Sequence, residues 1–270
     1  MNKILDVIIV IYNIKLEESS SFQMSFHKID KLVITIVDNS SIDIIRDYNR
    51  DFANQFKICY LTMNENIGLS KGYNLAIDYI KKNKPKIKWI ITLDQDTTLN
   101  DAYFDEVYST IDKPNDSSIY YPIVNSHNDI LSPKPMINYF IQGIAKSNCN
   151  VTCINSGLLF KMHFFEQFRY EKTLFLDMID FDLFCYIIKD KQLENISKMN
   201  CTIKQEFSGA RFSTCEKDYN RFKSYIIDFK TFCNKWNVPN TYKNYILLKR
   251  AFKLMIHYKY FKYIIEACKT

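Results

Sequence analysis

The chain has 270 residues, of which 47% are hydrophobic and 24% charged, which suits one large α/β domain and excludes a disordered or fibrous chain. Eight scattered cysteines without a CxxC pair, and no secretory leader pattern, argue against a disulfide framework or a zinc site; reduced thiols in a cytoplasmic protein are expected. No stretch of about 18 uncharged apolar residues occurs, so no spanning helix is predicted. The net charge of +6 is unevenly spread: residues 241–270 hold seven lysines and arginines against Glu266 alone, leaving residues 1–240 neutral overall.

The first element is the β-branched run Asp6–Tyr12, predicted as a strand buried on both faces of a mainly parallel sheet and ending at Tyr12-Asn13. Helical periodicity near residues 20–30 is weak. Lys31–Val37 is a second strand, ending at Asp38-Asn39-Ser40-Ser41; Asp43–Asn54 reads as a helix and Lys57–Leu61 as a third strand. Asn64-Glu65-Asn66-Ile67-Gly68-Leu69-Ser70-Lys71-Gly72-Tyr73-Asn74 leads into a helix reaching about Lys82. Ile87–Leu93 is a fourth strand, stopping at Asp94-Gln95-Asp96. Strands alternating with helices predict a doubly wound, Rossmann-like α/β sheet, whose ligands bind beyond the strands' C-terminal ends. In an extended segment Asp94 and Asp96 point the same way. Two converging carboxylates repel unless a cation lies between them, and oxygen ligands suit magnesium or manganese. Asp-x-Asp is also a common turn, and polar strand ends are common helix caps.

Further along, Asp101–Ile111 is predicted as a helix, Ser118–Val124 as a strand and Asn125–Pro135 as a loop. Ile154-Asn155-Ser156-Gly157 forms a polar corner before an apolar strand, Leu158-Leu159-Phe160. Leu174–Phe184 sets Asp177, Asp180 and Asp182 among apolar residues; if helical, Asp177 and Asp180 share a face. A carboxylate in apolar surroundings has a raised pKa, suited to proton abstraction near neutrality. Acids at a helix N-terminus account for the same pattern. Residues 241–270 read as basic, aromatic-rich helix, fit either for an anionic membrane surface or for packing on the sheet with a solvated basic face. No nucleic-acid recognition module accompanies the charge.

Six short motifs thus occur in order: Val10-Ile11-Tyr12-Asn13, Val37-Asp38-Asn39-Ser40-Ser41, Asn64-x-Asn66-x-Gly68-x-x-x-Gly72-x-Asn74, Leu93-Asp94-Gln95-Asp96, Asn155-Ser156-Gly157 and Phe175-Leu176-Asp177-x-x-Asp180. Together they resemble glycosyltransferase family 2, and within it the bacterial rhamnosyltransferase-like branch of cell-surface polysaccharide synthesis. The resemblance covers residues 4–215. It implies a GT-A domain over residues 1–215, a basic helical appendage over 216–270, and inverting transfer from a uridine or thymidine diphosphate sugar to a glycan acceptor carried on a lipid. Carried over to this chain, Asp38 receives the base N–H, while Tyr12, Asn13, Asn66, Gly68, Lys71, Gly72 and Asn74 shape the donor site. Asp94 meets the donor and Asp96 ligates the divalent cation; Asn155, Ser156 and Gly157 line the sugar and acceptor. Asp180 is the base, with Asp177 or Asp182 orienting it. The branch's usual metal histidine is replaced here by Gln205, whose amide oxygen is a weaker ligand for a hard cation, with Glu206 as a substitute. A sugar-nucleotide pyrophosphorylase is disfavoured, because Val10–Lys15 lacks the glycine-rich loop that class needs. A UDP-hexose transferase and a non-catalytic nucleotide-sugar-binding paralogue remain as alternatives.

Overall fold

The computed structural model describes residues 3–63, 65–114, 117–126, 129–135, 151–189, 196–205 and 213–269. Its strands are β1 (Leu5–Ile11), β2 (Val33–Asp38), β3 (Cys59–Thr62), β4 (Trp89–Asp94), β5 (Thr97–Thr98), β6 (Ile119–Ser126), β7 (Asp129–Ser132), β8 (Lys134–Pro135), β9 (Val151–Thr152), β10 (Leu158–Lys161) and β11 (Ile196–Gln205). Its helices are α1 (Ser20–Phe26), α2 (Asp43–Gln55), α3 (Leu69–Asn83), α4 (Asp101–Asp112), α5 (Ile179–Lys189), α6 (Cys215–Lys235), α7 (Asn240–Tyr258) and α8 (Lys262–Cys268).

The main sheet runs β3-β2-β1-β4-β10-β6-β11-β5. Its first four strands are parallel, as their unbroken apolar runs predict; β10 then enters antiparallel to both β4 and β6. The chain steps outward from β1 to β3 and returns to β4 on β1's other side, so the β1/β4 boundary is the topological switch point where open sheets bind ligands. The parallel register lines the motif ends along one edge: Ile11 stands opposite Asp38, Asp38 opposite Thr62, and Val10 opposite Asp94.

Alternate residues of β1 feed two cores. Ile8 and Val10 join the core built with α3, α5 and α6, whereas Val7, Ile9 and Ile11 join the core under α1, α2 and α4. Such period-2 partition is what a strand covered on both sides requires. Residues 216–269 are mostly helical but unevenly attached. Phe222, Phe229 and Phe232 of α6 are fully buried in the first core, while α7 and α8 contribute little more than Leu247, Ala251, Tyr263 and Ala267 at full burial.

Two expectations need correction. The predicted loop Asn125–Pro135 is a hairpin: β6 continues to Ser126 and pairs antiparallel with β7. Its prolines avoid the ladder's interior, Pro133 lying past β7 and Pro135 in the two-residue edge pairing of β8 with β9. The acidic segment is not one helix, because Met178 takes a left-handed φ of 64° and α5 begins only at Ile179. Asp177 therefore precedes the helix and does not share a face with Asp180.

Candidate active site

A cleft of about 590 Å³ opens at the C-terminal edge of β1 and β4. On one side it is lined by Tyr12, Asn39, Asn66, Gly68 and the Asp94-Gln95-Asp96 turn; on the other by Ile154, Asn155, Leu176, Asp180, Arg221 and Ser224, with Gln205.

The Asp94-Gln95-Asp96 turn is held rigidly by neighbours on both sides. Ser19 Oγ donates to the Gln95 carbonyl at 2.8 Å, Ser21 Oγ donates to the Asp94 and Thr97 carbonyls, and the Asp94 N–H donates to Ser156 Oγ at 2.9 Å. Gln95 Oε1 accepts the Tyr12 N–H at 2.7 Å, tying the turn to the end of β1. Tyr73 OH donates to Asp94 Oδ1 at 3.1 Å; burial keeps that phenol protonated. β11 pairs antiparallel with β5, Gln205 opposite Thr97, and this register delivers Gln205 to the turn. Its Nε2 donates to Asp94 Oδ2 at 3.1 Å and reaches Asp96 Oδ1 at 3.5 Å.

Burial, reinforced by the charge of Asp96, pushes the Asp94 carboxyl up to about 6. Gln205 Oε1 is buried with no hydrogen-bond partner among the described residues. Two repelling carboxylates and an orphaned amide oxygen beside them are a donor set that fits a hard divalent cation, since rotating the amide exchanges its N–H₂ for that oxygen. Among the described residues no group of three or more His, Cys, Asp or Glu side chains could hold a metal ion. Glu206 lies outside the described residues.

Opposite the turn, Asp180 stands in the first turn of α5 and accepts the Asn155 N–H at 2.9 Å. Burial, then the charge of Asp94, pushes its carboxyl up to about 7. Asn155 is itself fixed, accepting from Tyr170 OH at 2.6 Å through Oδ1 and from Thr92 Oγ1 at 2.7 Å through its carbonyl. Its Nδ2 is buried beside Tyr73, with no hydrogen-bond partner of good geometry among the described residues. The segment before α5 hangs on one buried carboxylate: Asp228 of α6 accepts the N–H groups of Phe175, Leu176 and Asp177 at 2.7–2.8 Å. Asp177 points to Arg221 in a two-point ion pair.

Of the expected residues, Tyr12, Asn66, Gly68, Asp94, Asp96, Asn155, Asp180 and Gln205 border the cleft. The others have structural tasks. Asp38 is fully buried, with Ser40 N–H on one oxygen and Asn49 Nδ2 and Tyr60 OH on the other. Its neighbour Asn39 lines the cleft. Asn13, at a left-handed φ of 52°, ties β1's end to Ser40 and Ser41. Lys71 is exposed on α3 away from the cleft. Gly72 admits α3 against Val10, Val37 and Asn39, an approach to the sheet rather than to a ligand. Asn74 clamps the Tyr170 backbone through both amide atoms. Ser156 supports the Asp94 N–H from beneath. Gly157, at φ 89°, forms the corner into β10, where a Cβ would fall 2.5 Å from Ile203 Cδ1. Asp182 is buried against Lys235 and Trp236 Nε1, at 2.8 Å from each, and staples α5 to the end of α6. Asp38, Asn74 and Asp182 thus each bond to their own scaffold.

Sequence reasoning missed Asn39, Gln95, Arg221 and Ser224. Asn39 and Gln95 lie inside motifs already singled out. Arg221 and Ser224 carry no local signal, since only the packing of α6 brings Arg221 to Asp177, 44 positions earlier in the chain.

The chain matches the family model described as "Glycosyl transferase family 2" over residues 6–182. No curated protein matches it in sequence. Among solved structures, S. aureus TarS residues 1–349 in complex with UDP is similar with a TM-score of 0.52 at 16% identity, covering 91% of this chain and 70% of that one. The mannosyltransferase PcManGT from Pyrobaculum calidifontis, in complex with GDP-Man and Mn2+, is similar with a TM-score of 0.54 at 12% identity, covering 100% and 74%. Glucosyl-3-phosphoglycerate synthase from Mycobacterium tuberculosis, in complex with phosphoglyceric acid, is similar with a TM-score of 0.55 at 8% identity, covering 88% and 81%. These neighbours share the GT-A fold, and the family match spans well over half of the 270 residues, from β1 into α5. The chain belongs to glycosyltransferase family 2.

Proposed function

We propose that the protein is an inverting, cation-dependent transferase that moves one sugar from a nucleoside diphosphate to a glycan acceptor in capsular or cell-surface polysaccharide synthesis. The sugar is rhamnose and the donor thymidine-diphosphate-rhamnose, following the motif resemblance; a UDP-hexose is the alternative donor. The acceptor glycan is carried on a lipid, and the enzyme works in the cytoplasm at the inner membrane face. The observation that carries the reading is that one cleft is lined by Asp94 and Asp96 from the end of β4 and by Asp180 from the start of α5.

In this reading Tyr12 and Asn39 hold the base, with Asp38 bracing the loop behind them. Asp94, Asp96 and Gln205 hold a manganese or magnesium ion, which when bound supplies positive charge to the departing diphosphate. Asp180 takes the proton of the acceptor hydroxyl as that oxygen attacks the anomeric carbon from the face opposite the diphosphate. A carboxyl pushed up to about 7 suits that task, because it binds the proton firmly yet is largely ionised just above neutrality. Asn155 orients the base through its N–H.

A second reading rests on Gln205, whose Nε2 already occupies the two carboxylates. There the protein binds a nucleotide sugar without turning it over. Donor hydrolysis with manganese separates the two: turnover that is lost in Asp96→Asn and Asp180→Asn supports the transferase, whereas donor binding with no turnover of acceptor or water refutes it. A thermal-shift panel identifies the donor, with thymidine-diphosphate-rhamnose expected to stabilise more than UDP-glucose.

A further inference from the structure

The outer face of the C-terminal hairpin is unlike the rest of the surface. Tyr245, Leu248, Phe252 and Ile256 recur along one stripe of α7, and Phe261 and Ile265 continue it across α8, each between 40% and 63% exposed. Residues from both helices enclose an apolar trough of about 580 Å³. Six large apolar side chains held together in water need a partner.

Charge decides which partner. Lys249, which lines the trough, and Lys253 lie four residues apart on α7, Lys259 caps that helix, and Lys262 and Lys269 stand at the two ends of α8. α7 contains no acid at all, and Glu266, the single acid of residues 241–270, is engaged by Tyr219 OH at 3.0 Å and Lys269 Nζ at 2.9 Å. Two copies of such a face would oppose +6 to +6 across their contact, so self-association is disfavoured. An apolar stripe ringed by lysines is instead the pattern that buries in the headgroup–acyl boundary of an anionic bilayer. No described helix is long and apolar enough to cross a membrane.

The hairpin is also fixed to the cleft. The Arg250 guanidinium stacks 3.7 Å over the Tyr225 ring of α6, Tyr258 OH donates to Asp218, and Tyr219 OH donates to Glu266. Arg221 and Ser224, which line the cleft, belong to the same α6 face region. We propose that the α7–α8 face is a docking surface for anionic phospholipid, inserting Phe252, Ile256, Phe261 and Ile265 and holding α6, and with it the acceptor side of the cleft, at a fixed height above the bilayer. The proposal extends the transferase reading to where the enzyme works, yet it stands or falls without any sugar nucleotide.

Flotation of the full chain with phosphatidylcholine vesicles, alone or mixed with phosphatidylglycerol, tests it. The expected result is flotation only with phosphatidylglycerol present, reversed by salt. Each of Lys249→Glu and Lys262→Glu should weaken binding about fivefold or more, and Phe252→Ser with Phe261→Ser should abolish it. These side chains are exposed, so the variants should keep the wild-type melting temperature and donor hydrolysis. Equal binding to neutral vesicles, no binding to either, or variants that float like wild type would overturn the proposal. So would a wild-type dimer that Phe252→Ser dissociates, since the stripe would then be its own partner. Failed donor hydrolysis with intact flotation would count against the transferase reading alone.

Discussion

The two walls of the cleft are built by opposite strategies. The wall formed by Tyr12, Asn39, Asn66, Gly68 and the Asp94-Gln95-Asp96 turn comes from consecutive strand ends within the first hundred residues, and parallel register alone brings them level. The other wall is assembled from a distance: Asn155 precedes β10, Asp180 opens α5, and Arg221 and Ser224 arrive on α6, with Asp228 gripping the segment between. The first wall depends on secondary structure, so it should tolerate loss of single contacts; the second depends on a few buried polar links, so each link should matter. The lesson is that one set of lining residues is placed by local strand order and the other by long-range polar contacts.

The sharpest break of this comparison is at Asp180. Asp180→Asn should cut transfer by about a thousandfold, the share of a general base, while leaving the donor's thermal shift intact. The pH profile sharpens it further. The carboxylate is the active form, so the rate should rise with pH through about 7 and the limb should vanish in the variant. Asp94's charge contributes to that elevation, so added manganese should move the limb to lower pH. The same elevation costs stability: the native carboxyls of Asp94 and Asp180 keep protons that an unfolded chain, at 3.8, has released. Without a cation, their contribution to stability is therefore lost as pH rises from about 4 through about 7, and melting temperatures with and without manganese should diverge most above that range.

Asp228→Ala comes next, because three backbone N–H groups lose one shared, buried acceptor. A cost of about 3 kcal/mol, or a fall of about 8 °C in melting temperature, is expected. Acceptor KM should rise while donor affinity stays near wild type. Equal damage to both would mean that the walls are mechanically one body. On the donor side, Gly68→Ala adds a Cβ 2.7 Å from Phe175 O at a φ of 83°. About 2 kcal/mol is expected in urea unfolding, by strain that no rotamer relieves.

How much was legible follows the same division. Strands β1 to β4 read directly, because residues buried on both faces must be apolar and β-branched, and their polar ends were visible as abrupt stops. Which polar residue faces the cleft was not: Asp38 and Asn39 are adjacent, and only the bonds from Asn49 and Tyr60 show that Asp38 is spent inward. Asp182 misled for a similar reason, since its partner Lys235 lies 53 residues onward. Met178 ended the expected helix through a backbone angle that its side chain does not announce. Arg221 was invisible among the many basic residues of the C-terminal region until α6 was seen to pack on the sheet.

The smallest effect is expected at Gln205, and it tests whether the donor wall is complete. β11 presents this side chain to both Asp94 and Asp96 through its pairing with Thr97, so the position is set by backbone register and survives a change of residue. An imidazole there would offer a nitrogen lone pair where the amide offers a weaker oxygen, and it would remove the N–H that now neutralises Asp94. Gln205→His should therefore raise manganese affinity by about tenfold, or about 1.4 kcal/mol, in a calorimetric titration. Magnesium should gain less, since it prefers oxygen ligands. The melting temperature of the cation-free protein should fall slightly, because the carboxylates lose their shared donor. If affinity instead falls, the amide oxygen of Gln205 is the better ligand in this geometry, and the donor wall is built for a weakly held, exchangeable ion.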